Sequence, residues 1–426
     1  MDLREDDTWM FNARHDIQIN RNNLQSWNTT VYGSFVDQLM DNLLKPLDPR
    51  MINAQTYAQT SNYGGRTESI WQFGPGKLYT GADLRVESAQ GTRTREFLMG
   101  PNAGKIMEDN AWQDGRISKT GLFGEYHLGA SWLNYVFSGR LEFNHADIRD
   151  PSDEFTEIYD DSQVSQINPS LSVGVLMALG AQTSGGVWVG RAQRSGSLTE
   201  RFINYFPVGQ DPYEMLGNPQ LDPEKNNQID LTFELKKPNT AVNFDVFVSY
   251  LQEYISSVID TTLSPRLPMS PGVRRFINID EAFKTGFEVS WTQQLPLGLQ
   301  HQLGVAYTYA QDLQRDQPLP ETAPMDMRYT LTGSYVKHKL KPEATLRYAM
   351  EQTRVSEEFG ETVTPSFALL DVKVGYKLSD KLQVNAGVNN LFHEGYYEHL
   401  NRSVRGTDLP IYAPGRSAFA NISYLF

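Results

Sequence analysis

The chain contains no cysteine, which excludes disulfide frameworks, thiolate catalysis and zinc sites built from cysteine. No apolar run approaches the roughly 18 to 20 residues that a transmembrane helix needs, and the best stretch, residues 173–181, is far too short. Positive charge is also scarce, since 38 Lys and Arg face 51 Asp and Glu for a net charge of −13. This balance argues against a nucleic-acid partner. The first residues lack the basic and apolar regions of a signal peptide.

Motifs of enzymes are missing as well. The pair His393 and His399 flanks Glu394, but a zinc-protease helix needs histidines four apart and these are six apart. No GxSxG segment occurs, and Trp71 occupies the position of the first glycine of a P-loop. The acidic stretch 147–161 could gather calcium or bridge cations to lipopolysaccharide, but it lacks EF-hand spacing, so a solvated loop is the better interpretation. We therefore predict that the protein is not an enzyme and has no resident cofactor.

The informative pattern is alternation with period two. At the C-terminus, apolar side chains fall on one face of a strand and mostly polar ones on the other. The apolar face carries Ala418, Ala420, Ile422, Tyr424 and Phe426. A strand that ends on an exposed phenylalanine suits a wall with lipid on one side and water on the other. The 21 Tyr and 21 Phe of the chain suit the aromatic girdles of such a wall, although any β-rich protein favours aromatics.

The same alternation recurs along the chain in segments of about 10 to 16 residues, longer than the 5 to 6 typical of soluble β proteins. Examples are residues 78–87, 133–144, 242–250, 370–378 and 382–389. Short turns alternate with long polar loops, as in outer-membrane barrels, and no repeat of 40 to 45 residues indicates a propeller. We predict one all-β domain over residues 1–426. Its fold is a transmembrane antiparallel up-and-down β-barrel with about seventeen strands.

The odd number of predicted strands has a consequence for the N-terminus. Bacterial single-chain barrels have an even number of strands with both ends in the periplasm. The last predicted strand runs inward, and counting back makes the first, residues 9–20, run inward as well. We therefore expect sequence to be missing at the N-terminus, with Met1 an internal methionine or the start of a truncated gene. Unpaired edges facing lipid are costly, so we expect that the fragment does not close by itself.

Four segments resemble the TonB-dependent outer-membrane receptor family. They are the GNPQLDPEK segment 217–225, the strand 278–288, the PLP loop with Arg328-Tyr329, and the NNLF–YY–PGR region 389–416. The resemblance implies an outer-membrane barrel of 22 strands closed by an N-terminal plug, so about five strands and the plug would be absent here. It also implies uptake of a scarce ligand, driven by the TonB complex acting through that plug. Outer-membrane lipid and lipopolysaccharide would surround the barrel.

Residues 23–42 together with 398–401 resemble the TonB-dependent copper receptors, in which a His-x-Met pair at the end of an outward strand helps to hold copper. Here Gln38 replaces the histidine and Met40 remains, so Gln38 and Met40 are the candidate ligand-binding residues and Met40 the candidate metal ligand. A thioether suits soft Cu(I), whereas an amide does not. The predicted cargo is copper or a copper chelate. The alternatives are a ferric-siderophore receptor and, in another class, a passive porin.

Overall fold

The computed structural model describes residues 2–206, 211–267, 270–401 and 409–426. Across these residues, 21 strands form one sheet. Their bounds are β1 Asp2–Arg21, β2 Leu24–Asp41, β3 Ile52–Phe73, β4 Gly76–Phe97, β5 Ile106–Asn110, β6 Gly115–Ala130, β7 Leu133–Ile148, β8 Val164–Ala178, β9 Thr183–Arg194, β10 Asn204–Phe206, β11 Glu214–Leu216, β12 Glu224–Lys237, β13 Thr240–Ile259, β14 Val273–Leu295, β15 Leu299–Asp312, β16 Gln317–Pro318, β17 Asp326–Gly333, β18 Leu340–Ala349, β19 Phe367–Lys377, β20 Leu382–Asn389 and β21 Ser417–Tyr424.

Four of these strands (β5, β10, β11 and β16) are two to five residues long and belong to long loops. The other seventeen strands of the described chain pair antiparallel, each with the next long strand in sequence. An all-antiparallel meander of about seventeen strands is what the sequence pattern predicts, and the prediction is confirmed.

The sheet has two edges. Within the described residues, β1 pairs only with β2 and β21 only with β20. Successive antiparallel pairings make β1 and β21 run in the same direction, so a direct contact between them would be parallel. Antiparallel closure of this sheet requires an odd number of additional strands between these edges. The expectation that the sheet does not close on its own is confirmed.

The first strand begins earlier than the sequence pattern predicts. It starts at Asp2 and not near residue 9, because residues 2–8 continue the ladder with the end of β2. This part of β1 is rich in carboxylates and has no apolar face, so its periodicity gives no strand signal. The long strands span 8 to 23 residues and several extend well beyond the predicted lengths.

The long strands, apart from the first residues of β1, have one apolar and one polar face. On β12 and β13, Leu231, Phe233 and Phe244 are exposed on the apolar face, whereas Asp230 and Asp245 lie on the other. The polar face of the sheet also carries ion pairs, such as that between Arg140 and Asp83. An exposed apolar surface repeated on strand after strand is typical of a wall that faces lipid, with its polar face towards a lumen.

Connections of two kinds alternate along the chain. The short ones are 22–23, 74–75, 131–132, 179–182, 238–239, 296–298, 334–339 and 378–381, and the long ones are 42–51, 98–114, 149–163, 195–223, 260–272, 313–325, 350–366 and 390–416. Because neighbouring strands are antiparallel, all short turns lie at one end of the sheet and all long loops at the other. We call these the short-turn end and the mouth.

The helices are short. Helix α1 spans Asp153–Ile158 and is capped by Ser152, and α2 spans Leu198–Phe202 with a capping box formed by Ser197 and Glu200. Pro296–Gly298 forms a single 3₁₀ turn. In the described parts of the chain, no helix is long and apolar enough to cross a membrane.

Candidate functional site

The mouth contains the main buried apolar cluster. Phe155 of α1, Phe202 of α2 and Leu216 of β11 are fully buried against Ile117 and Ile148 of the wall. Each such side chain contributes about 1.5 to 3 kcal/mol by leaving water. The loops 149–163 and 195–223 therefore pack as ordered structure against the polar face of the sheet.

The segment 217–223 wraps around one buried arginine. The guanidinium of Arg201 donates to the carbonyl oxygens of Pro219 and Leu221 and to Oε1 of Gln166, the last at 2.7 Å. A side chain at position 217 would collide with the Arg201 backbone at 2.5 Å, which explains the glycine there. Burial lowers the pKa of Arg201 to about 10. The GNPQLD motif thus stabilises the structure of the mouth through its backbone contacts with Arg201.

Two arginines of β4 anchor two loops. The side chains of Arg93 and Arg95 are 3% exposed and share Asp109, with contacts of 3.1 and 2.8 Å. Arg93 also donates to the carbonyl of Tyr205, and Arg95 to that of Arg266.

Glu214 reinforces the same contact. Its carboxylate is fully buried and accepts the backbone N–H groups of Arg266 and Leu267. Burial raises the pKa of Glu214, partly offset by these donors. The guanidinium of Arg266 lies 3.8 Å from the centre of the Tyr205 ring, a cation–π contact. Loops 195–223 and 260–272 therefore form one unit.

A buried ion pair connects that unit to loop 350–366. Arg274, at the start of β14, pairs with Asp211, and their side chains are 1% and 4% exposed. The same guanidinium donates to the carbonyl of Phe359 and lies 3.8 Å from the centre of its ring.

A second carboxylate connects three loops. Glu361 accepts the backbone N–H groups of Ser356 at 2.9 Å and of Glu321 at 2.6 Å. Nε2 of His399 lies 3.6 Å from Glu361, while Nδ1 of His399 contacts the hydroxyl of Thr364 at 2.9 Å. Burial raises the pKa of Glu361, but the contact with His399 and the two backbone donors outweigh it, so the pKa lies below the ordinary 4.5. Loops 313–325, 350–366 and 390–416 meet at this carboxylate.

Loop 390–416 is also fixed to the wall. Arg347 of β18 makes a bidentate contact with Glu398 at 2.6 and 3.1 Å and a further contact with Asp326 at 2.6 Å. The ring centre of Tyr396 lies 4.5 Å from that of Phe367. These contacts bring residues 396–401 over the polar face.

The connected loops and the adjoining strand ends border an open recess of about 620 Å³, which we call the vestibule. Its polar lining includes Arg194, Glu200, Asp211 and Asn401, and its aromatic lining includes Phe359. The vestibule opens on the polar side of the sheet and combines charged and apolar groups, as small-molecule sites do.

Gln38 and Met40 lie at the end of β2 on its polar face. The side-chain amide of Gln38 donates to Asp6 at 3.2 Å. Met40 is half-buried and lies opposite Leu3 of β1 and Thr56 of β3. The two candidate residues share one face, as their spacing requires, but neither lines the vestibule. Their role as ligands stays a prediction.

The other residues considered as metal ligands do not come together in the structure. His393 accepts the backbone N–H of Arg416, whereas His399 contacts Glu361, so the two histidines do not share a site. Asp326 begins β17, directly after the loop that contains the PLP segment. Within the described ranges, no group of three or more His, Cys, Asp or Glu could hold a metal ion.

The buried charged residues that hold the mouth together could not be recognised in the sequence. Arg201, Arg274 and Glu361 act through partners 20 to 85 positions away or in other loops. The only local signal is the GNPQLD segment, which marks a fixed backbone without revealing the arginine inside it.

An open antiparallel sheet with an apolar outer face, a charged inner face and long loops at one end is the wall of a transmembrane β-barrel. The sequence model of the family described as TonB dependent receptor-like, beta-barrel matches residues 1–391, so the chain belongs to this family of outer-membrane barrels. None of the curated proteins matches the sequence.

Solved structures share the fold at low sequence identity. The copper transporter OprC has a TM-score of 0.84 at 18% identity, over 98% of this chain and 65% of that one. The FrpB iron transporter from Neisseria meningitidis (F5-1 variant) has a TM-score of 0.70 at 16% identity, over 98% and 63%. The ferric yersiniabactin uptake receptor FyuA from Yersinia pestis has a TM-score of 0.67 at 10% identity, over 98% and 61%. The chain thus spans 61 to 65% of the length of these proteins.

Proposed function

We propose that the chain forms most of the barrel wall of an active importer in the Gram-negative outer membrane, energised by the TonB complex. The family match over residues 1–391 carries this proposal. The polar inner face and the vestibule support it, because they provide a water-filled path and a place where a ligand is captured outside the membrane. The partner that transmits force from TonB would be a plug domain.

We propose copper, as an ion or a chelate, as the cargo. Met40 offers a thioether on the inner face, a ligand type that selects soft Cu(I). The loops at the mouth are acidic: residues 149–163 carry six carboxylates and one arginine, and residues 350–366 carry four and one. Such a field concentrates cations and repels anionic chelates. The structural likeness to a copper transporter agrees with this choice.

Copper accumulation in cells tests the cargo. Met40→Leu keeps the apolar volume but removes the thioether, so we expect several-fold lower copper accumulation at limiting copper. Met327→Leu is the matched control, because Met327 lies on the apolar face of β17 opposite Tyr348. Collapse of the proton gradient should stop uptake, and uptake that survives it would indicate a passive porin.

A ferric chelate is the second candidate cargo, favoured by the size of the vestibule. A cavity of about 620 Å³ fits an organic chelate better than a bare ion. If deletion of the gene leaves copper accumulation unchanged but abolishes growth on a ferric chelate, the copper proposal is wrong.

A further inference from the structure

A cluster of lysines lies at the short-turn end, far from the vestibule. Lys339, Lys341, Lys373 and Lys377 line a cavity of about 220 Å³ together with one carboxylate, Glu343. This lining carries a net charge of +3 in a protein whose net charge is −13. We call it the basic patch.

The basic patch faces the lumen. Lys341 and Glu343 alternate with Leu340, Pro342 and Ala344 of β18, and they share a face with Arg347, which contacts the loops of the mouth. On β19, Lys373 and Lys377 alternate with Val374 and Tyr376, which are exposed on the outer face. Lipid headgroups at the outer surface therefore do not explain the cluster.

The positive charge is only partly compensated. Lys373 pairs with Glu343 at 2.7 Å, and Lys377 with the exposed Asp380 at 2.8 Å. Lys339 and Lys341 make no ion pair with any described residue. Gly375, between Lys373 and Lys377, has no side chain, and the side-chain oxygen of Asn385 lies against it. Clustered like charges repel one another, so the patch gains stability when an anion binds.

The dimensions select the kind of anion. Lys373 and Lys377 are four residues apart on one strand, about 13 Å at the rise of a β-strand. Lys341 lies opposite Gly375, midway between them, on the neighbouring strand about 4.8 Å across. A small anion reaches one or two of these ammonium groups. Carboxylates spaced along an extended chain reach all of them.

We propose that the basic patch binds an extended acidic polypeptide segment that enters the lumen from the short-turn end. The side chains of Gln383 and Asn385 on β20 provide neutral hydrogen-bonding groups beside the lysines. The interaction is electrostatic and exposed to water, so it weakens as salt is raised. The inference depends on the fold and not on the cargo.

Fluorescence anisotropy of labelled octaglutamate, added to the detergent-solubilised protein, tests the proposal. The double variant Lys341→Glu with Lys373→Glu should bind at least tenfold more weakly. Lys236→Glu with Lys237→Glu is the matched control, because these exposed lysines end β12 at the same end of the sheet. It should bind like the parent protein.

Two further variants test the roles of the carboxylate and of the size of the charge change. Glu343→Gln removes the one carboxylate of the patch and frees Lys373, so it should tighten binding several-fold. Lys341→Gln with Lys373→Gln removes charge without reversing it and should give an intermediate loss, with strand content checked by circular dichroism. If the Lys341/Lys373 glutamate variant binds octaglutamate as tightly as the Lys236/Lys237 control, the proposal is wrong. So would displacement by free glutamate at the same carboxylate concentration, which would indicate a small-anion site.

Discussion

The ion pair between Arg274 and Asp211 gives a strong test of how the mouth is built. Both side chains are almost fully buried, and the guanidinium lies against the Phe359 ring. Asp211→Asn keeps the shape of the carboxylate but removes its charge. The arginine then remains charged in a site without its ionic partner.

Removing one partner of a buried ion pair costs about 3 to 5 kcal/mol. Since about 1.4 kcal/mol is a tenfold change in an equilibrium constant, local opening of the loops should become roughly 10² to 4 × 10³ times more frequent. Asp211→Leu combined with Arg274→Met should recover much of this loss, because neither partner then leaves a buried charge. Asp380→Asn, in the exposed pair with Lys377, should leave the loops unchanged.

Hydrogen exchange measures the effect at defined amides. The N–H of Glu214 donates to Gly272, and the N–H of Ile259 donates to Glu358, so these amides report on the two loops joined by the ion pair. Asp211→Asn should accelerate their exchange, while amides at the centre of β3 should keep their protection. If Glu214 and Ile259 exchange at the parent rate, the ion pair does not hold the mouth together and our reasoning is wrong.

Two further predictions address the faces of the wall and the pH dependence of the mouth. Leu231→Arg places a charge on the apolar face and should destabilise the protein in lipid by about 2 to 4 kcal/mol at mid-membrane depth. Thr232→Arg, on the polar face, should have little effect. Denaturant titration in lipid vesicles measures the stability of both variants. Because the pKa of Glu361 is lowered on folding, its contribution to stability is complete above the ordinary value of 4.5 and is lost as the pH falls through the folded pKa. Proteolysis of loop 350–366 should therefore rise with acidification below about pH 4.5, and Glu361→Gln should flatten that profile; a profile unchanged by the substitution would contradict the role of Glu361.

The wall could be predicted from the sequence because its signal is local. Alternation along β19 and β20 needs only neighbouring residues to show which side chains face lipid. The turn at Pro238-Asn239 is equally local. Alternation did not predict the strand at residues 2–8, because this segment is rich in carboxylates and lacks an apolar face. Its structure is decided by backbone pairing with β2.

The mouth could not be predicted because its contacts are distant in sequence. Helices α1 and α2 have five or six residues, too few to show a helical period. Arg201 and Arg274 look like ordinary polar residues until their partners are known. The subfamily resemblance at Gln38 and Met40 fixed their strand and their shared face but not the loops around them.

The two ends of the molecule use charge in opposite ways. At the mouth, the buried side chains of Arg274 and Glu361 have partners in different loops, so a movement of one loop requires that charged contacts break in a poorly hydrated environment. At the short-turn end, Lys341 is exposed without an ionic partner among the described residues. Paired and buried charges give the vestibule a fixed shape, which the proposed capture of a ligand would need. Hydrated charges without ionic partners give a surface that would bind and release the proposed acidic segment at low cost.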